Sequence, residues 1–238
     1  MVTALIFAGG TGRRMTIHGK PKQFLELHGK PIIVYTLEHF EYHPKIDNIL
    51  VVCVEHWIKE FNQILKRYAF SKVQQIVPGG DSGDVSIFNG LKALEDKCES
   101  NDIVLIHDGV RPLINSELIS ANIENVEEFG NAITVEPVTE SIVRIDGIGQ
   151  IVEVPPRREM FTAKAPQSFR YGLIWKLYQR ARKDGLSAID SAHLCSMYDV
   201  KMHTVTSTQN NIKITTPSDY YIFRALYEAK ENEQIFGM

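Results

Sequence analysis

Four cations follow a glycine turn near the start of the chain. In LIFAGGTGRRMTIHGKPKQFLEL, residues 5 to 27, an apolar run breaks at Ala8, Gly9, Gly10, Thr11 and Gly12, and Arg13, Arg14, Lys20 and Lys22 come directly after. Glycines let successive backbone amides turn inward on an anion, while guanidinium and ammonium groups add charge-assisted hydrogen bonds. A tight turn accounts for the glycines alone. A phosphate-binding loop accounts for the glycines and the cations together. The loop has neither the GKS or GKT of a Walker sequence nor the third glycine of the dinucleotide fingerprint.

Further along, IHDGVRP (residues 106 to 112) stands at the end of a strand-like run. Asp108 there can hold a divalent cation, and Arg111 can reach a phosphate. His107, a lone histidine at a strand end, is read as hydrogen-bonded structure with no acid or base role. PGGDSGDVS (residues 78 to 86) is a second glycine loop leading into a helix. Its amides around Gly80 and Asp81 and the Ser86 hydroxyl can read a base or ribose, and a helix N-terminus capped by Asp and Ser accounts for the same residues. Arg157 and Arg158 in PPRREMF, and Lys213 in NNIKITTP, add positive charge. Taken alone, the first two are a solvated surface pair and the third an edge-strand charge.

These segments need a frame that gathers them. Val2 to Phe7, Ile49 to Val54, Val73 to Val77, Ile103 to Ile106 and Ala132 to Val135 read as buried strands. Helical spacing fills Pro31 to Phe40, Trp57 to Tyr68, Ser86 to Leu94 and Leu118 to Phe129. Alternating strands and helices predict an α/β domain with a mainly parallel sheet covered on both faces and ligands beyond the carboxyl ends of its strands. After Val138, TESIVRIDGIGQIVEVPP alternates apolar and polar residues around Gly147 and Gly149, a β-hairpin that is either a lid or an arm gripping a second subunit. The remainder predicts a strand at Thr162 to Ser168, helices at Leu173 to Arg182 and Ser191 to Tyr198, a strand pair at Met202 to Val205 and Ile212 to Thr215, and a closing helix from Ser218.

Composition narrows the partners. With 26 Lys and Arg against 29 Asp and Glu, the chain has no general pull toward nucleic acid or an anionic membrane, so anion binding is local. There is no apolar run of the roughly 18 residues that a membrane span needs and no leader-like start, which predicts a cytoplasmic protein. Cys53, Cys98 and Cys195 are widely spaced and read as reduced, buried thiols. A dinucleotide-dependent oxidoreductase is disfavoured further, because no acidic residue closes the second strand to hold a ribose.

Taken in order, AGGTGRRM, PKQF, PGGDSGDVS, HDGVRP, PVTES, APQSF and NNIKITTP closely resemble the cytidylyltransferases of the methylerythritol-phosphate and ribitol-phosphate type, from Ala4 to about Tyr220. The resemblance implies transfer of CMP from CTP to a sugar-alcohol phosphate with release of pyrophosphate. It also implies Mg2+ or another divalent cation and a single Rossmann-like domain over residues 1 to 238, with a β-arm at about 139 to 160 that helps form a homodimer. By the same resemblance, Ala8 to Gly12 and Arg14 hold CTP, Lys22 and Lys213 act on its reacting phosphates, and Gly80, Asp81 and Ser86 meet cytosine and ribose. Asp108 would sit beside the metal and ribose, with Arg111, Ser141 and Arg157 on the acceptor side and Arg157 reaching into the partner's site.

The chain departs from the family pattern at several points. Gly83 stands where an arginine is usual, Ala165 where a threonine is usual, and Glu140 and Ser141 replace an Asp-Thr pair; Ile189 to His193 also differ. Most of these changes fall toward the acceptor. AGGTG, PKQFLEL and HDGVRP look closer to the ribitol-phosphate branch, so ribitol 5-phosphate leads as acceptor, with 2-C-methyl-D-erythritol 4-phosphate or another pentitol or hexitol phosphate as the alternatives.

Overall fold

A computed structural model describes residues 1–9, 16–17 and 20–236, including all side chains there except those of 16, 17 and 233–236. The first half of the chain alternates as its apolar runs predict. β1 (Val2–Ala8) is followed by two short antiparallel pairs, β2 (Thr16–Ile17) with β3 (Lys20–Pro21) and β4 (Glu26–Leu27) with β5 (Lys30–Pro31). Then come α1 (Ile32–Glu41), β6 (Asn48–Cys53), α2 (Ile58–Arg67), β7 (Val73–Pro78), α3 (Gly83–Lys92), β8 (Ile103–Asp108) and α4 (Ser116–Phe129). The second half holds β9 (Asn131–Pro137), the hairpin strands β10 (Arg144–Ile145) and β11 (Ile151–Glu153), and β12 (Phe161–Arg170). It closes with α5 (Tyr171–Asp184), α6 (Ser191–Met197), β13 (Thr204–Thr206) and α7 (Pro217–Phe236).

The main sheet runs β13-β9-β12-β8-β1-β6-β7 among the described residues. β7, β6, β1 and β8 are mutually parallel, and β12 alone runs against its neighbours β8 and β9. Successive strand residues face opposite sides, so burial on both sides demands the unbroken apolar runs seen in the sequence. Ala4, Ile6, Ile49, Val51 and Leu105 pack under α1, α2 and α4. Leu5, Leu50, Val52, Val104 and Ile106 pack under α3, α5 and α6. The chain steps outward from β1 to β6 to β7, then recrosses by α3 to β8 on the far side of β1. That reversal is the switch point at which doubly wound sheets bind ligands.

A buried polar network locks the antiparallel strand into place. Asn122 of α4 donates from Nδ2 to Thr134 Oγ1 at 3.0 Å, Thr134 Oγ1 donates to Pro166 O at 2.6 Å, and Ser168 Oγ donates to Asn122 Oδ1 at 2.9 Å. All three residues are wholly buried, so each bond replaces one that water would otherwise make. The pairing of β12 with β9 shifts register between Ala163 and Gln167, around Pro166, which has no N–H to give a ladder.

Two expectations change. Met202 to Val205 and Ile212 to Thr215 do not pair: β13 joins β9 in parallel, and residues 212 to 215 form no strand. Their alternation has another cause, because Ile214 is buried with Val110, Phe223 and Tyr35 in a third cluster under α7, and its N–H donates to Val110 O at 2.9 Å. The hairpin is present but short. Its turn is organised by Asp146, whose Oδ1 accepts from the amides of Ile148 and Gln150, and Ile145, Ile148, Ile151, Val152 and Val154 are all exposed along it.

Thr134→Val keeps the volume but removes the hydroxyl that donates to Pro166 O and accepts one of the two Asn122 Nδ2 hydrogens. It is expected to cost about 1–3 kcal/mol, read as a lower urea midpoint with an unchanged slope, and to leave activity per folded molecule intact.

Candidate active site

The carboxyl ends of β1, β7 and β8 open on one side of the sheet, and the loops after them hold most of the residues singled out in the sequence. Phe7 pairs in register with Asp108, and the Gly109 amide donates to Phe7 O at 3.0 Å, so Asp108 stands directly beside the start of the glycine turn. Of that turn, Ala8 and Gly9 are described; Gly10, Thr11, Gly12 and Arg14 lie outside the described residues.

The turn is pressed against the second glycine loop. A Cβ on Gly9 would meet Ser86 Oγ at 2.8 Å and Gly79 Cα at 3.2 Å, and one on Gly79 would meet Gly9 Cα at 3.0 Å. Only glycine permits so close an approach of two backbones. Ser86 is buried beneath them, donating to Ser82 O at 2.8 Å and accepting from the Gly80 amide at 3.1 Å. Its hydroxyl thus shapes the loop. Ser82, with its side chain accepting from the Val85 amide at 3.2 Å, caps α3, while Asp81 is exposed at the loop.

Lys22 sits half-buried in a single 3₁₀ turn, Lys22–Phe24. Gln23, which sequence reasoning left without a role, donates from Nε2 to Ala8 O at 2.7 Å from a buried position, and Phe24 stacks on Trp57 at 4.9 Å. One side of the turn is therefore tied to the end of β1 and the other to α2's approach. This fixes the backbone from which Lys22 projects.

At the end of β8, two cations converge on one carboxylate. Lys213 Nζ lies 2.6 Å from Asp108 Oδ1, and Arg111 Nε lies 3.1 Å from Oδ2. Asp108 is 4% and Arg111 6% exposed. Burial alone would push the Asp108 carboxyl upward, but Lys213 and then Arg111 outweigh it and hold it down at about 2, so it is ionised under all ordinary conditions. Arg111 also donates from Nη1 to Asn211 O at 2.8 Å, which joins the 207–215 segment to the β8 loop. Lys213, read from sequence as a charge between strand-like residues, comes instead from this irregular segment. Its ammonium is 5.7 Å from the centre of the Phe7 ring.

Histidines fasten the loop from behind. His107 Nε2 donates to Arg111 O at 3.1 Å, and His39 Nε2, from α1, donates to Pro112 O at 3.0 Å. Desolvation pushes His107 down to about 3 and His39 down to about 4, so both are neutral, with Nε2 carrying the proton that each carbonyl accepts. His107 is accordingly structural, as read from sequence. His39 carried no signal, because nothing local in a helical run marks which residue touches a loop 73 positions away.

Ser141 and Arg157 are not gathered into this cluster. Both are exposed at the base of the hairpin, where Arg157 Nη1 donates to Thr139 O at 3.1 Å. For a metal, Asp108 is the carboxylate available, and no group of three or more His, Cys, Asp or Glu side chains suited to a metal ion occurs among the described residues. That donor set suits a Mg2+ arriving on a polyphosphate, which keeps waters and substrate oxygens as its main ligands, better than an ion held by protein alone.

Known proteins resemble the chain over nearly its whole length. Residues 2–228 match the family model described as "IspD: 2-C-methyl-D-erythritol 4-phosphate cytidylyltransferase". A ribitol-5-phosphate cytidylyltransferase of Streptococcus agalactiae serotype Ia is 49% identical over 239 residues, 100% of each chain. A 2-C-methyl-D-erythritol 4-phosphate cytidylyltransferase of Geotalea uraniireducens is 36% identical, over 98% of this chain and 99% of that one. The crystal structure of 4-diphosphocytidyl-2C-methyl-D-erythritol synthase from Anaerococcus prevotii matches with a TM-score of 0.85 at 27% identity, over 95% of this chain and 96% of that one.

The buried histidines set an acid limit on the fold. Their folded values lie below the ordinary 6.5, so the unfolded chain takes up protons first, and stability is lost as pH falls from about 6.5 toward about 4 for His39 and about 3 for His107. Asp108 has the depressed carboxylate pattern and contributes stability that disappears only below its ordinary 3.8, toward about 2. Urea unfolding between pH 7 and 4.5 is expected to show this decline, and His39→Gln is expected to make the dependence shallower by about one proton, or about 1.4 kcal/mol per pH unit.

Proposed function

The chain belongs to the 2-C-methyl-D-erythritol 4-phosphate cytidylyltransferase family, and on that premise we propose that it transfers CMP from CTP to ribitol 5-phosphate, giving CDP-ribitol and pyrophosphate. Among the relatives reported above, the one named for ribitol 5-phosphate is nearer in sequence than the one named for methylerythritol phosphate, which supports this choice of acceptor. The observation that carries the chemistry is the convergence of Lys213 and Arg111 on buried Asp108 beside the glycine turn. Such a CDP-alditol would serve a cell-wall or capsular polymer. We place the enzyme in the cytoplasm; no helix among the described residues is long and apolar enough to cross a membrane.

In this reaction a phosphate oxygen of the acceptor attacks the α-phosphorus of CTP in line, the new P–O bond forms, and the bond to the bridging oxygen breaks to release pyrophosphate. Two polyanions must meet, so neutralising their charge is the main task. Lys22 and Lys213 donate to the α-phosphoryl oxygens, where charge builds, and Arg14 favours the departing pyrophosphate. The amides of Ala8 to Gly12 cradle the triphosphate, and the Gly80 and Asp81 loop, shaped by Ser86, takes the cytosine and ribose. Mg2+ would enter on the triphosphate, with Asp108 as its protein carboxylate, and would supply further neutralisation of the phosphates. No general base is required, because the attacking phosphate is already ionised near neutral pH. Arg111 holds Asp108 in place and faces the acceptor side.

The acceptor site is completed, in this reading, by a second copy of the chain. The hairpin, with strands of only two and three residues, exposes five branched apolar residues along its length, too little to be stable as a free surface in water. Paired with the partner's arm, these residues would be covered, and Ser141 and Arg157 would be delivered to the partner's site.

With CTP and Mg2+, pyrophosphate release should be fastest with ribitol 5-phosphate, slower with 2-C-methyl-D-erythritol 4-phosphate and other alditol phosphates; release with none of them would overturn the proposal. Lys22→Ala and Lys213→Ala are each expected to lower turnover by about 10²–10³-fold; Lys22→Ala should leave the melting temperature unchanged, whereas Lys213→Ala, which leaves buried Asp108 with Arg111 alone, should lower it. Light scattering should give a dimer mass, and Ile148→Asp combined with Val152→Asp a folded monomer; a monomeric wild-type chain would refute the arm's role.

A further inference from the structure

We infer that Asn211 is the positioning residue that sets Lys213, and with it Arg111, against Asp108; the inference rests on the site reading above. Lys213 lies in a stretch without sheet or helix. The last sheet-like bond before it is Ser207 N to Val135 O at 2.7 Å, and the first anchor after it is Ile214 N on Val110 O at 2.9 Å, followed by the Thr215 amide on Asp219 at 2.8 Å. Between these, internal turns such as Asn211 N to Thr208 O and Ile212 N to Asn210 O shape the stretch but do not attach it.

Attachment comes from Asn211 and Ile214. Asn211 is completely buried. Its backbone carbonyl accepts from Arg111 Nη1 at 2.8 Å, and its side-chain Nδ2 donates to Ala165 O at 2.8 Å. That carbonyl is free to accept because Ala165 falls where the β12–β9 pairing shifts register. One residue therefore bridges the β8 loop to the antiparallel strand, two positions before the lysine whose ammonium rests on Asp108. The contact calls for a donor at Nδ2. An aspartate there would place a carboxylate against the Ala165 carbonyl in a buried setting, and no alkyl side chain could make the bond.

Asn122 supplies a matched comparison. It is equally buried and makes side-chain bonds of similar length, to Leu118 O and Thr134 Oγ1, but it joins α4 to the sheet and touches no residue of the Asp108 cluster. Asn211→Ala is expected to lower kcat by about 10²-fold, as displacement of a reacting group does, with KM for CTP within threefold. Hydrogen exchange at the Ile214 amide should accelerate at least about tenfold, while Leu105 in β8 is unaffected. Asn122→Ala should lower the melting temperature at least as much and leave both kcat and Ile214 exchange within about twofold. Should Asn211→Ala not fold, Asn211→Gln, which keeps the amide but moves it by one methylene, is expected to show the same pair of effects. Unchanged Ile214 protection, a kcat within threefold of wild type, or an equal kcat loss in Asn122→Ala would each overturn the assignment. The exchange measurement needs no substrate, so it tests Asn211 even if the acceptor panel shows no turnover.

Discussion

A buried, ionised carboxylate is unfavourable unless its neighbours compensate for the loss of water, and Asp108 draws its compensation from two distant parts of the chain. Arg111 is three residues away, Lys213 more than a hundred. Together they force the end of β8 and the segment leading into α7 to meet. Other features of the site serve that meeting: the histidines under the Arg111 and Pro112 carbonyls, and the amide of Asn211 on Ala165.

The same pairing suits a site that must handle polyphosphate. With Asp108 ionised throughout the physiological range, the local charge of the cluster is one net positive, from two cations against one anion, in a molecule that is slightly acidic overall. In the proposed reaction, a phosphate or a metal ion competing for either partner of the Lys213–Asp108 pair would release the ammonium for the reacting phosphorus, so the resting contact keeps the lysine near its place of work.

The parallel strands were legible because burial on both faces leaves no room for polar positions, and Val2 to Phe7 or Ile103 to Ile106 could hardly be anything else. The hairpin was legible from its alternation and glycines, and Asp108 from its place at a strand end. Other features depend on contacts that a linear pattern does not encode. Ile212 and Ile214 alternate like a strand because α7 buries one of them, not because a ladder exists. The reversed direction of β12 follows from its place between β8 and β9, which nothing within Thr162 to Ser168 announces. Of the two asparagines in NNIKITTP, only the second is buried against Ala165, and Gln23 differs from any other glutamine only by the carbonyl it reaches. Arg111 was expected on the acceptor side; its burial and its bonds to Asp108 and Asn211 show that it first serves as a brace.

The sheet has a seam running through it. Strands β1, β6, β7 and β8 come from the first 108 residues and carry the loops proposed for CTP, whereas β9, β12 and β13 come from the rest and carry the segments proposed for the acceptor. Lys213 crosses that seam to reach Asp108. The acceptor-side segments can therefore vary without disturbing the nucleotide loops. The chain itself cannot be divided there, since a fragment ending after β8 would keep the glycine loops and leave Asp108 buried without its lysine.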